Sequence, residues 1–136
     1  MAGLTTHVSI ALLGAIIIFF LLKLKYKIIP CLAFFLGNLI PDIVDFGIIG
    51  IKIMSLNPHI IMLNKWFSPL ALFAHSKLTW IVFAIIIIII SLILLKTKSI
   101  KKQIFNLIML SLILFLIGIS IHLFLDFFVQ ETSVWI

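Results

Sequence analysis

Asp42 and Asp45 stand three residues apart in the stretch GNLIPDIVDFG, and His122 and Asp126 stand four apart in HLFLD. On a helix, both spacings put the paired side chains on one face. His7, close to the first residue, and His75, in the triplet AHS, add two more imidazoles. Carboxylates and imidazoles together are the donor set of zinc, manganese and iron sites. All six residues fall in or at the end of an apolar run. Charged groups in such runs are costly, and they usually face a bundle interior where they are paired or functional. Two neighbouring carboxylates repel one another, and a divalent cation reverses that penalty.

Taken singly, each signal has an ordinary explanation. His7 fits an interfacial histidine, Asp42 and Asp45 a membrane edge, and His75 with Ser76 a helix start. HLFLD fits an intrahelical hydrogen bond. Placement is what joins them, and placement depends on the elements.

The chain has 136 residues, enough for one compact domain, and it is 65% hydrophobic and 10% charged. A soluble domain is closer to half apolar and a quarter charged. The composition therefore marks an integral membrane protein of all-α class, a single unit over residues 1–136. Four runs have the length a spanning helix needs. They cover residues 4–22, 28–51, 69–95 and 104–129, and Ser68-Pro69 marks a start for the third. Short connections imply antiparallel neighbours in a four-helix bundle. Pro41 predicts a kink in the second span, just before the acids. The long connection HIIMLNKWF reads as an interfacial loop, with Trp66 and Lys65 at headgroup level. Tyr26 and Trp135 read as further interface residues. The first run has no basic leader and reads as a retained helix.

The net charge of +6 comes from ten lysines with no arginine. The lysines flank apolar runs, and the absence of arginine weighs against nucleic-acid recognition. The single cysteine, Cys31, excludes an internal disulfide. Seven lysines lie in the connections after the first and third runs, and Lys52, Lys65 and Lys77 lie on the other side. The heavier side should be cytoplasmic, which turns both termini outward. At 1.5 Å per residue, Asp42 is then about 21 Å along an outward-running span. His122 and Asp126 lie about 27 and 33 Å along another. His7 and His75 sit at the outer ends of their helices. All six residues are expected on one side of the membrane, as a single divalent metal site, with zinc the first choice and manganese or iron open. His59, in the long connection, reads as incidental, and Glu131 as a solvated group near the outer end of the last span.

The order of these motifs resembles the YdjM-like family of predicted membrane-bound metal-dependent hydrolases. The resemblance rests on TTH (His7), IPDIVD (Asp42, Asp45), AHS (His75, Ser76) and HLFLD (His122, Asp126). The acids are spaced PDxxD where PDxD is commoner, and SPLALF stands where a His-Arg often precedes the histidine-serine pair. Val129 and Glu131 stand where a threonine and a glycine usually come after the late aspartate. The family is similar to zinc-dependent phospholipase C. The resemblance implies a multi-pass enzyme of the cell membrane that hydrolyses a phosphoester, such as a phospholipid or another lipid-linked substrate. His7, Asp42, Asp45, His75, His122 and Asp126 would be ligands. Asp45 would act as the bridging ligand or general base, and Ser76 and Lys77 as supporting groups. Two rivals use the same residues: an ion or proton path, and a non-catalytic assembly protein with a structural metal. The cytoplasmic halves of all four runs are apolar, which disfavours a continuous path.

Overall fold

The computed structural model describes residues 4–23 and 25–128, with no strand among them. Helices α1 (Leu4–Leu21) and α2 (Ile28–Asp42) come first. A π-helical turn (Ile43–Gly47) leads without a break into α3 (Ile48–Ile53). Two short helices come next, α4 (Pro58–Met62) and α5 (Phe67–Ala74). The long helices α6 (Lys77–Lys96) and α7 (Lys102–Phe128) complete the described chain. The expected end of the fourth span at Val129, together with Glu131 and Trp135, lies outside the described residues.

Three helices are long and apolar enough to cross a membrane: residues Ile28–Ile53, Lys77–Lys96 and Lys102–Phe128. This fits a multi-pass membrane protein. Helix α6 makes the point by its exposure. Six consecutive isoleucines, Ile85 to Ile90, cover every face of the helix, and Ile85, Ile86, Ile89 and Ile90 are each half exposed. A helix that is apolar all round yet uncovered by protein is matched to lipid. Helix α1 is apolar too but shorter, at 18 residues.

Helix α2 packs on α1 and, most extensively, on α7, while α6 leans on the other flank of α7. The α2–α7 crossing is close because it is glycine on glycine. A Cβ at Gly37 would collide with the Phe115 carbonyl oxygen, and one at Gly118 with the Phe34 carbonyl oxygen. Small residues let membrane helices approach until backbones touch.

Two expectations are corrected by the fold. The third run, expected to be one helix over 69–95, is broken at His75-Ser76. Ser76 takes an extended conformation as the residue preceding α6, and the Trp80 indole N–H donates to the Ala74 carbonyl at 2.6 Å. That bond satisfies one of the orphan carbonyls at the end of α5. The long connection is also more than an interfacial loop. Ile61 of α4 is buried with Phe46 and Ile49, and Phe67 and Leu70 of α5 pack against them. The Lys52 and Lys65 ammonium groups lie 5.5 and 5.8 Å from the Trp66 ring.

The second run holds its helical course past Pro41. Proline has no N–H for the carbonyl one turn back. The helix answers with a change of register rather than a break, and Ile48 N–H bonds the Ile43 carbonyl five residues earlier. Such π-bulges recur at functional sites. This one turns Asp45 completely inward, with no exposure.

Candidate metal centre

Four segments deliver side chains to one point. Helix α1 brings His7, α2 brings Asp42, the break between α5 and α6 brings His75, and α7 brings His122 and Asp126. His7 and His122 are fully buried, and their rings stack with centroids 4.0 Å apart. The structure thus brings all six expected residues within 4.0 Å of at least one other member, with Asp45 touching the group only through His75.

Hydrogen bonds at the outer nitrogens set the chemistry of the inner ones. His122 Nδ1 lies 2.7 Å from the Asn38 carbonyl oxygen, and His75 Nδ1 lies 3.1 Å from that of Ala71. A carbonyl can only accept, so each Nδ1 must carry a proton and donate. In the neutral rings, both Nε2 atoms are then bare lone pairs. Those two nitrogens face each other at 3.2 Å. Asp126 Oδ2 stands 3.1 Å from the His75 nitrogen and 3.2 Å from that of His122. A proton on one imidazole or a cation among the three atoms relieves the repulsion between acceptors that converge in this way.

The spacing is also right for a metal. Ligand bonds of 2.0–2.1 Å in a tetrahedron put neighbouring donor atoms about 3.3 Å apart. The triangle of His75 Nε2, His122 Nε2 and Asp126 Oδ2, with edges of 3.1, 3.2 and 3.2 Å, has nearly that size. Asp42 Oδ1 stands farther off, 3.7 Å from the His122 nitrogen and 4.0 Å from that of His75. His7 Nε2 approaches the other Asp126 oxygen, Oδ1, at 3.2 Å. A second trio, His7, Asp42 and His122, also offers ligand atoms within 4.8 Å of one another. His122 has only one nitrogen to give, so the two trios are alternative seats for one ion.

Asp45 stands apart from this group. Its Oδ2 lies 3.6 Å from His75 Nδ1, on the side of the ring that faces away from Asp126, and its Oδ1 accepts from the Phe46 amide. The Ala71 carbonyl accepts the hydrogen bond from His75 Nδ1, so Asp45 adds negative charge behind the ring and no hydrogen bond. Ser76 makes no capping bond to α6, and Lys77 is exposed beside His75. His59 is exposed on α4, its amide tied to Asn57, away from the cluster.

Sequence reasoning passed over three contributors. The Asn38 carbonyl, the Trp80 indole and the π-turn all position ligands without being ligands. The signals for the last two were present: Ser76 is a good residue to precede a helix, and Pro41 with Gly47 brackets the register change. Nothing in the sequence marked the Asn38 carbonyl, because every residue has one.

Fold and cluster together define an all-helical, membrane-type chain with a buried histidine–aspartate centre at one end of its bundle. No protein family, curated protein or solved structure compared with the chain matches it.

Proposed function

We propose that this chain is a membrane-embedded, zinc-dependent hydrolase acting on a phosphoester. The single observation that carries the reading is the triangle of His75 Nε2, His122 Nε2 and Asp126 Oδ2, whose size matches three ligands of one tetrahedral ion. Three protein ligands with a fourth position open is the arrangement of catalytic zinc. A bound divalent ion would supply a Lewis acid and acidify a water molecule held against it. The chain's own groups do the rest. His75 and His122 are held in the ligating tautomer by Ala71 and Asn38. His7 restrains the far oxygen of Asp126. Asp42, outside the tight triangle, takes the proton from the attacking water at Oδ1. The water oxygen bonds to phosphorus, the bond from phosphorus to the alcohol oxygen breaks with its electron pair, and that oxygen recovers the proton.

All four long helices span in this reading, since the 18 residues of α1 lie within the range of about 17–25 that a crossing needs. The connections rich in lysine meet at the end opposite the cluster, where Lys25 and Lys101 line one cavity. The cluster accordingly faces the extracytoplasmic side. A structural metal is the nearest rival, and the burial of His7 and His122 suits it. Exposure of Asp126 and His75 to a cavity suits catalysis better.

Metal analysis of purified protein, paired with hydrolysis of bis-p-nitrophenyl phosphate, tests the proposal. Stoichiometric zinc, and activity lost on chelation and restored by zinc, are expected. Protein that is folded, metal-free and inactive would overturn it.

A further inference from the structure

A cavity of 720 Å³ opens beside the cluster, between the start of α6 and the outer half of α7. This is within the size range of small-molecule sites. Its lining is mixed. His75 comes from the break before α6 and Lys77 from the start of that helix, and α7 brings Asp126 and Ser120 together with Phe124, Phe127 and Phe128. His75 and Asp126 keep 18% and 10% of their side chains exposed, whereas His7 and His122 keep none. His75 and Asp126 are therefore reachable from this cavity, whereas Asp42, with 13% of its side chain exposed, does not line it.

Lys77 is out of place by local rules. It is the first residue of α6, in a first turn with no acidic residue. The amino end of a helix carries partial positive charge and disfavours a cation. An anion lodged in the cavity would satisfy both the lysine and the helix end. Beyond Asp126 and Ser120, α7 offers the cavity only apolar side chains. Phe124 and Phe128 pack with ring centroids 4.4 Å apart, Phe127 and Phe128 at 4.9 Å, and all three are mostly exposed. The occupant must be anionic at one end and hydrocarbon at the other.

We infer that the cavity admits a lipid phosphate sideways from the surrounding bilayer. Its phosphate lies between Lys77 and the cluster, and its chain lies along Phe124, Phe127 and Phe128 towards the lipid. The choice of phosphate as the anion rests on the hydrolase reading; the amphiphilic character rests on the cavity walls.

The test uses the zinc-loaded chain in phosphatidylcholine nanodiscs doped with phosphatidic acid carrying a photoreactive group on its acyl chain. Labelling is expected to saturate, to fall on the outer end of α7, and to be displaced by unlabelled phosphatidic acid but not by glycerol 3-phosphate. Lys77→Gln should raise the half-saturating lipid level about tenfold, the worth of one charge-assisted hydrogen bond, with zinc content unchanged. Labelling that never saturates, or that spreads evenly over the lipid faces of α1 and α6, overturns the inference as mere boundary lipid. Equal displacement by glycerol 3-phosphate overturns it in favour of a water-borne phosphate. Saturable labelling without any turnover of the lipid would remove the hydrolase reading and leave the lipid site standing.

Discussion

His75 and His122 are each committed at Nδ1 to a backbone carbonyl, and in the neutral ring this commitment leaves Nε2 with a lone pair to offer a metal. The same logic ranks the consequences of substitution. His122→Ala and Asp126→Ala each remove a corner of the triangle, and each should abolish stoichiometric zinc. The double variant should be no worse than either single one, since members of one site act as a unit. Asp45→Asn is milder. It removes negative charge from behind His75 without removing a ligand, and should weaken zinc by about 10–100-fold. Lys98→Ala, in the connection between α6 and α7 at the opposite end, is the control. Zinc content and chelator competition on these variants would measure this, and full zinc retention by His122→Ala would refute the triangle as the seat of the ion.

At the scale of elements, the glycine crossing of α2 and α7 has two effects. It brings backbones into contact, and it brings the Asn38 carbonyl within 2.7 Å of His122. Gly118→Ala places a methyl group against the Phe34 carbonyl, and backbone there cannot move without parting the helices. We predict a destabilisation of about 1–3 kcal/mol, the usual cost of overpacking, together with weaker zinc binding as the Asn38–His122 bond lengthens. Unfolding in mixed micelles and zinc titration would read the two effects. Unchanged stability and affinity would mean that the crossing has slack. The π-turn belongs to the same scale. One added residue in a helical repeat rotates every later side chain about the axis, which is how Asp45 comes to stand behind His75 when i,i+3 spacing alone would set it beside Asp42.

At the scale of the whole molecule, the bundle is polarised. Its polar cluster occupies one end, and the connections holding seven lysines occupy the other. The bias in lysines predicts that the amino terminus faces outward with the cluster. A protease-cleavable tag at the amino terminus should be accessible in intact cells, and a fully protected tag would invert the orientation. Inversion would move the histidine–aspartate cluster to the cytoplasmic side and leave its geometry untouched.

The helical class, the membrane character and the candidate residues were legible in the sequence. Apolar length and lysine flanks report directly on burial in lipid, and rare polar residues in such runs are conspicuous because each is costly. His7, Asp42, His75, His122 and Asp126 could be named for that reason, and their shared end of the bundle could be assigned by counting residues along each helix. Which atoms meet was another matter. Tautomers depend on carbonyls from other segments, at Asn38 for His122 and at Ala71 for His75. The break at His75-Ser76 depends on an indole bond from Trp80 to Ala74 that helix propensity does not encode. Asp45 was separated from the ligand group by a register shift at the π-turn. The cavity forms where residues at the start of α6 face the end of α7, far apart in the chain. Local sequence carries the cost of burying a polar group, and only tertiary structure decides which partner relieves it.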